Sequence, residues 1–420
     1  MITNDTNLCM AWSKQDTIWM LSLYGTAIGA GTLFLPINAG LNGMGPLIIM
    51  ALIAFPMTYF SHQALCRFVL SGSQKSDITE VVDEHFGLKA GHIITWLYFF
   101  AIYPILLMYS VAITNTMESF LVNQLHMAAP PRALLAFMLL AGLMIIVHFG
   151  QQLIVKSMSI LVYPFVFVLM GLSIYLIPYW NSDLLVWSSG NFGSPHSFMT
   201  LWLIIPVMVF SFNHSPIISS FAVSHKERFG QASDKKCSSI LKYSHFLMVG
   251  TVMFFVFSCV LSLSPQDLMQ AKTENISILS YLANHFRTPI IAYLAPLIAF
   301  IAIAKSFFGH YLGVKEGLYG LVTKSLRSRK KITNPKIYRW IEGFILLSCW
   351  GVATLNPSIL GMIEILAGPV IAIILFLMPM YAILKVPAMK KYRRPISNAF
   401  IAIMGIIAIS AILYSVIAQA

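Results

Sequence analysis

Charge is scarce in this sequence. Only 10% of its 420 residues are Asp, Glu, Lys or Arg, whereas 58% are hydrophobic, and the mean hydropathy is +0.78. Soluble domains carry roughly 25% charged residues. So little charge excludes one water-soluble core. It indicates a polytopic membrane protein with a single membrane domain over residues 1–420 and the lipid bilayer as its surroundings.

Paired cysteines and catalytic motifs are also missing. The five cysteines show no CxxC spacing, which argues against a disulfide framework and a structural zinc site. The sequence has no HExxH, GxSxG or Walker-type pattern, so it gives no indication of an intramembrane enzyme, a cofactor or a metal. Basic cytoplasmic loops, rather than nucleic-acid binding, explain the net charge of +12.

Long apolar runs are abundant by contrast. About 20 apolar residues cross the hydrocarbon as a helix, and eleven segments satisfy this requirement. The predicted spans are residues 16–41, 44–70, 93–124, 132–150, 153–178, 198–221, 241–264, 289–313, 338–355, 357–384 and 396–418. Residues 71–92, between spans two and three, have the spacing of a short helix on the membrane surface.

Basic residues in the loops orient these spans. With the N-terminus inside, 23 of the 27 Lys and Arg residues fall in cytoplasmic segments, three fall in outer loops, and Lys305 lies within a span. Cytoplasmic loops of membrane proteins carry an excess of basic residues. The sequence therefore predicts a cytoplasmic N-terminus and a C-terminus on the opposite side.

Two spans contain residues that helices disfavour. Span one holds GTAIGAGTLFLP at 25–36, and span six holds VFSFNHSPIISS at 209–220. Glycine costs about 1 kcal/mol relative to alanine within a helix, and proline about 3. The breaks lie in the first spans of two halves that enter from opposite sides. We expect an inverted repeat of discontinuous helices, 16–178 and 198–384, followed by a helix at 396–418.

Broken backbone at membrane depth is tolerated where it lines a cavity. The free amides of the first break suit a carboxylate, and the polar groups of the second suit an ammonium or a hydroxyl. Together the breaks predict a midplane site for a small zwitterion. Either break alone also fits a packing cluster of glycines or a simple proline kink.

Four stretches resemble the hydroxy and aromatic amino acid permease family. They are YGTAIGAGTLFLPINAG (24–40), FFAIYPILLMYSVAITNT (99–116), IPVMVFSFNHSPIISSFAV (205–223) and ATLNPSILGMIE (353–364). The resemblance covers essentially the whole chain and is closest to the serine-transporting branch. It implies an all-α, LeuT-like fold with a five-plus-five inverted repeat and an eleventh helix. It also implies proton-driven uptake of a small neutral amino acid, serine above all, across the bacterial inner membrane, with a periplasmic C-terminus.

The resemblance also implies the site residues. Those that would meet the substrate carboxylate in the first break are Thr26, Ala27, Gly29, Ala30 and Gly31. Those that would meet its amine and side chain in the second break are Ser211, Phe212, Asn213 and His214. Span three of such folds offers a tyrosine, for which Tyr109 is favoured over Tyr103, although a tyrosine that only bridges helices fits equally well.

Ionisable residues within spans are functional candidates. In sodium-coupled LeuT-like proteins the part of span eight around Ser306 supplies hydroxyl ligands to the ion, so the neighbouring Lys305 ammonium is expected to replace sodium in a proton-coupled cycle. Snorkelling to the cytoplasmic face is the alternative for Lys305, as for Lys156. Glu364 is predicted to be an outer-gate group or a proton acceptor.

The histidines divide into two groups. His214 has an intrinsic pKa that suits a proton step, although a histidine that satisfies the unwound backbone fits as well. His62, His148 and His310 lie near the predicted cytoplasmic ends of their spans, which indicates interfacial positions.

Two other functions fit parts of the pattern. A sodium-coupled neutral amino acid symporter would share both breaks, and Lys305 argues against it. A non-transporting receptor or channel would share the hydrophobicity, but it leaves two half-helix sites unexplained. The residues leave serine, threonine and cysteine open as substrates and carry no indication of an oligomeric state.

Overall fold

The computed structural model describes residues 11–148, 151–181, 195–286, 288–325, 335–363 and 368–419, and every regular element within these ranges is helical. Five helices are long and apolar enough to cross a membrane, or six when one bent pair is counted as a single span. Four shorter apolar helices accompany them. The all-α architecture expected from the sequence is confirmed.

Within its described residues, the first half of the chain contains six α-helices. In chain order they are α1 Lys14–Ala27, α2 Ala30–Leu41, α3 Met44–Leu70, α4 Ile78–Ser119, α5 Arg132–His148 and α6 Gln151–Tyr175. Helices α1 and α2 are the two parts of predicted span one and meet at an angle of 50°. Helix α4 begins earlier than predicted because the expected surface helix continues into it, with a bend at Gly87 (φ +79°).

The described part of the second half contains eleven α-helices. They are α7 Pro195–Ser211, α8 Ser215–Phe229, α9 Ser233–Ser262, α10 Pro265–Thr273, α11 Ile278–His285, α12 Pro289–Ser325, α13 Pro335–Leu355, α14 Ile359–Met362, α15 Gly368–Ala372, α16 Met378–Lys385 and α17 Pro395–Gln419. Helices α7 and α8 are the two parts of predicted span six. Helices α14 to α16 lie in predicted span ten, with a π-helical turn between α15 and α16. Helix α17 matches span eleven. The short helices α10 and α11, between spans seven and eight, were not predicted.

A buried ion pair fixes the beginning of α1. Ser13 and Asp16 form a capping box, in which each side chain bonds the other residue's backbone amide. The Asp16 carboxylate also accepts from the Lys236 ammonium of α9 at 2.7 Å, and both side chains are almost fully buried. Lys236 donates to the Ala11 carbonyl as well, at 2.7 Å. These contacts tie the first turn of α1 to α9.

A lysine at the far end of α12 holds the predicted surface helix in place. The Lys324 ammonium donates to the Thr79 carbonyl at 2.9 Å, to Asp83 at 2.8 Å and to Thr95 at 2.7 Å. These acceptors lie on both sides of the Gly87 bend. The beginning of α4 is therefore docked against α12, rather than being a loop helix covered only by solvent.

The short helices α10 and α11 are joined by polar contacts. The Tyr281 hydroxyl donates to the Asp267 carboxylate at 2.7 Å, and Ser264 caps α10 through the same carboxylate. Burial alone would raise the pKa of Asp267, but the hydrogen bonds from Ser264 and Tyr281 outweigh it and lower the pKa. The connection between α9 and α12 is therefore an ordered structure.

The long helix α12 runs through the centre of the fold. It packs along α4 and also contacts α1, α6 and α8. Helix α1 in turn lies against α6 and α9, while α2 lies against α7. This arrangement brings the two interrupted spans together and places α12 and α4 beside the interruptions.

Candidate functional site

The first break consists of two residues between α1 and α2. The backbone angles of Ile28 and Gly29 are not helical. The first hydrogen bond from α2 back to the break joins the Leu33 amide to the Gly29 carbonyl at 3.1 Å. The preceding amides therefore have no helical acceptor. At this positive pole of α2, the backbone N–H groups of Ala30, Gly31 and Thr32 have no helical acceptor in the described part of the chain.

The second break separates α7 from α8 at Phe212, Asn213 and His214. The Asn213 side-chain oxygen accepts from the Ser215 amide at 3.1 Å and so caps α8. Pro216 lies in the first turn of α8, where the missing amide hydrogen costs nothing. The predicted interruption is confirmed, and the proline begins a helix here rather than kinking one.

The two breaks touch each other. The Thr32 hydroxyl donates to the Ser211 carbonyl at 3.0 Å, and the Ser211 hydroxyl donates back to the Gly31 carbonyl at 3.0 Å. A Cβ atom at Gly31 would lie 2.6 Å from the Phe210 ring and 3.1 Å from the Ser211 Cα. The chain therefore needs glycine at position 31, because the two half-helices approach too closely for any side chain.

Helices α12 and α4 complete the surroundings of the first break. The Ser306 hydroxyl donates to the Thr26 carbonyl at 2.6 Å, at the open end of α1. A Cβ atom at Gly29 would overlap the Ser306 side chain and would lie 2.9 Å from the Tyr109 ring. Tyr109 is thus placed against the break, whereas Tyr103 stacks on aromatic rings of α4 and α13.

The predicted site residues of both breaks lie in one buried region. Ala27, Ala30 and Phe212 are at most 1% exposed. The single hydrogen of the Ser211 hydroxyl is shared between the Gly31 and Val207 carbonyls, so it is not available to a ligand. The Asn213 amide nitrogen, in contrast, is buried without an acceptor among the described residues. An unpaired buried donor costs about 1–3 kcal/mol, so a ligand acceptor would relieve it.

Lys305 and Ser306 are neighbours that face different partners. Ser306 bonds the first break, whereas the Lys305 ammonium lies 3.9 Å from the centre of the Phe165 ring on α6 and 5.9 Å from that of Tyr24 on α1. Lys305 is completely buried, and its ammonium has no hydrogen-bond acceptor in the described part of the chain. The snorkelling alternative is wrong for Lys305, while Lys156 is exposed. Glu364 lies outside the described residues, and its role stays a prediction.

Two histidines differ from the interfacial prediction. His62 and His310 are 1% and 0% exposed, whereas His148 has the expected exposed side chain. His62 accepts from the His214 backbone amide at 3.2 Å, and the two rings stack with centroids 3.7 Å apart. His310 contacts the Tyr109 ring edge-on. Its spacing of four from Ser306 places both on one helix face, a signal available in the sequence.

The sequence of this chain is similar to those of known transporters. The family model described as the tryptophan/tyrosine permease family matches residues 17–417. The serine transporter SdaC of Escherichia coli K12 is 66% identical over 410 residues, which cover 96% of both chains. The threonine/serine transporter TdcC of Escherichia fergusonii is 47% identical over 426 residues, again 96% of both.

Solved transporters share the fold at low identity. MhsT in complex with L-phenylalanine has a TM-score of 0.60 at 15% identity, with 96% of this chain and 97% of that chain covered. A mutant manganese transporter from Eremococcus coleocola has a TM-score of 0.62 at 14% identity, covering 96% and 86%. The expected LeuT-like fold is confirmed. The chain belongs to the tryptophan/tyrosine permease family and is a multi-pass membrane transporter, not an enzyme.

Proposed function

We propose that this chain imports L-serine, or a related small polar amino acid such as threonine, in symport with protons across the bacterial inner membrane. The observation that carries the proposal is the pair of joined breaks, with free backbone amides on one side and an unpaired Asn213 amide on the other. The identity to relatives named serine and threonine/serine transporters supports the substrate class. The basic loops support a cytoplasmic N-terminus and a periplasmic C-terminus.

The substrate carboxylate binds at the first break in this proposal. Three backbone donors at the N-terminal end of α2 and the helix dipole together favour an anion. The amino and hydroxyl groups then lie toward the second break, where Asn213 offers an amide hydrogen. Tyr109 closes the same region from α4. The first break thus recognises the substrate through its backbone, and its glycines leave room for the neighbouring helices.

Aromatic amino acids are the second candidate substrates, since the family description names tryptophan and tyrosine. The close approaches at both glycines favour a small substrate, because Ser306, Tyr109 and Phe210 already fill the space beside the breaks. A buried polar group that an apolar ligand leaves unpaired costs about 1–3 kcal/mol. We therefore expect serine to bind better than tryptophan.

Lys305 is the coupling group in this proposal. Its ammonium lies among α1, α6 and α12, where a fixed positive charge makes a bound sodium ion unfavourable. A zwitterion has no net charge, so the membrane potential alone does not accumulate it. One co-transported proton contributes about 2.3 kcal/mol per 100 mV, which corresponds to roughly 50-fold accumulation. Ser306 holds the α1 carbonyl beside this position, and Glu364 remains the candidate outer-gate or proton group.

The test is uptake of labelled serine by the purified protein in liposomes. An imposed proton gradient is expected to drive accumulation, whereas a sodium gradient at equal pH is not. In a competition panel, unlabelled serine should displace the label best and tryptophan poorly. If tryptophan or leucine competed as well as serine, the substrate assignment would be wrong. If only sodium drove uptake, the coupling assignment would be wrong.

The same assay tests Lys305. Lys305→Ala should lose gradient-driven accumulation and retain serine binding, because both breaks stay intact. Lys305→Arg should also fail, since arginine stays charged and cannot release a proton. The exposed Lys156→Ala is the matched control and should transport normally. Accumulation by Lys305→Ala under a proton gradient would move the coupling role to another group.

A further inference from the structure

Three histidines from separate elements meet beside the second break. His62 comes from α3, His214 from the break itself and His245 from α9, and each is at most 1% exposed. One ligand nitrogen from each ring lies within 4.8 Å of the other two. The His214 ring is stacked on His62 at 3.7 Å and lies 4.7 Å from the His245 ring. These three residues form the histidine cluster.

The backbone fixes the tautomer of every ring in the cluster. The three Nδ1 atoms lie close to main-chain carbonyl oxygens: His62 to Thr58 at 2.7 Å, His214 to Phe212 at 3.0 Å and His245 to Leu241 at 2.7 Å. A carbonyl oxygen can only accept, so each Nδ1 carries a hydrogen and donates it. In neutral rings the three Nε2 atoms are therefore all acceptors.

Among the described residues, only one of these three Nε2 atoms accepts a hydrogen bond. The His62 Nε2 accepts from the His214 backbone amide at 3.2 Å. The Nε2 atoms of His214 and His245 are buried and have no partner among the described residues. Most buried polar atoms in proteins are hydrogen-bonded, so an unpaired pair of neighbouring acceptors needs a physical reason. One added proton would give this pair the donor that it lacks.

The cluster also lacks a charged partner among the described residues. Tyr59 of α3 contacts the His245 ring edge-on, and His310 of α12 is the further titratable group that acts on His214. No ion pair with a carboxylate, lysine or arginine involves the three rings in the part of the chain that the structure describes. A proton on the cluster therefore has no negative partner among the described residues, and a bound carboxylate would provide one. The first break, bonded to the second through Thr32, is the proposed position of the substrate carboxylate.

We propose that the histidine cluster binds one proton at the unpaired Nε2 atoms of His214 and His245, and that this proton and the substrate carboxylate favour each other's binding. The inference rests on the proposed function: the cluster proton strengthens substrate binding, whereas Lys305 remains the group that the transport cycle requires for accumulation. The proton adds to a nitrogen lone pair, so no covalent bond breaks and no redox partner is needed. Coupling between two bound ligands is reciprocal, so a bound proton strengthens substrate binding as much as substrate strengthens proton binding.

The ring geometry favours a proton over a metal ion. A histidine binds zinc along its lone pair, in the plane of the ring, at about 2.0–2.1 Å. The His62 and His214 planes are parallel to within 2° and stacked, so their lone pairs do not meet at one point. A proton, in contrast, does not need the lone pairs of three rings to converge. The His214 and His245 rings, which carry the unpaired Nε2 atoms, are inclined to each other by 57°.

The decisive experiment is serine titration calorimetry in two buffers of different ionisation enthalpy, which counts protons taken up on binding. It is performed with Lys305→Ala, so that the lysine cannot contribute. We expect uptake of one proton per serine above the titration of the cluster. Over that range Kd should rise about tenfold per pH unit, since the unprotonated cluster binds serine more weakly.

Two substitutions at position 245 are then added to this background. His245→Gln provides a permanent amide donor near the former Nε2 position, so proton uptake should vanish and the low-pH affinity should persist at high pH. His245→Asn keeps a donor for the Leu241 carbonyl and removes Nε2, so uptake should vanish and the affinity should stay weak. His225→Gln, a change at a buried histidine outside the cluster, should leave proton uptake unchanged.

Several results would overturn the inference. Absence of proton uptake in Lys305→Ala, with uptake in the unmodified protein, would make the lysine the only proton site. Unchanged uptake in both position-245 variants, with native melting temperatures, would place the proton elsewhere. Zinc binding that His245→Gln loses would make the cluster a metal site. If the protein bound another amino acid instead of serine, the proposed substrate would fail, and the same titration with that amino acid would still test the cluster.

Discussion

Both broken helices present polar groups at their break, but the first does so with its backbone and the second with side chains. The first break presents backbone amides and has glycine where a Cβ atom would lie less than 3 Å from side chains of neighbouring helices. The second break is built from polar side chains, of which Asn213 caps α8 and His214 joins the histidine cluster. The first region therefore depends on the absence of side chains, whereas the second depends on the functional groups that they carry.

The largest effect should come from adding one methyl group to the first break. In Gly31→Ala the new Cβ would meet the Phe210 ring and the Ser211 main chain. Overpacking typically costs about 1–3 kcal/mol, so we expect initial serine uptake to fall at least about tenfold. Gly171→Ala on α6 is the control, because its new methyl group would have no atom within 4 Å. Normal uptake by Gly31→Ala would mean that the breaks need not touch during transport.

An intermediate effect should follow from removing the amide of the second break. Asn213→Ala loses the donor that is unpaired in the structure, so serine Kd, measured by calorimetry, should rise about tenfold. Asn213→Ser keeps an acceptor for the Ser215 amide and lacks the amide donor. It should therefore recover the melting temperature without recovering affinity. Affinity that recovers together with stability would show that Asn213 acts only as a cap.

The smallest effect should come from the bond between the breaks. Thr32→Val keeps the shape of the side chain and removes the hydroxyl that donates to the Ser211 carbonyl. A single neutral hydrogen bond contributes about 0.5–1.5 kcal/mol, so the melting temperature should fall slightly and serine Kd should change by less than about threefold. Thr323→Val, which loses a hydroxyl bond within α12, is the control. A tenfold loss of affinity would show that Thr32 itself binds substrate.

Local composition was sufficient to predict the breaks. Glycine and proline are costly in any helix, so their positions in spans one and six could be interpreted without a structure. The burial of Lys305 could also be predicted from its place within an apolar span. The short helices α10 and α11 were missed because they have only nine and eight residues and lie between spans. The direct junction of the expected surface helix with span three was not predicted: the two helical segments of α4 meet in a kink at Gly87, whose backbone angles are not helical.

The histidine cluster could not be predicted in the same way. Its members lie on three elements that are far apart in the sequence, and no fixed spacing relates them. His62 was misplaced because distance along a span indicates depth but does not tell which face of the helix is turned inward. Only the packing of α3 against α8 and α9 brings the three rings together.

The Asp16–Lys236 pair bears on how fast α1 can separate from α9. Separating two charges inside an apolar interior is unfavourable by several kcal/mol, whereas water around both charges removes most of that cost. We therefore expect the N-terminal end of α1 to leave α9 quickly only after water has reached the pair. The rate of that separation should then depend on how fast water penetrates between the two helices.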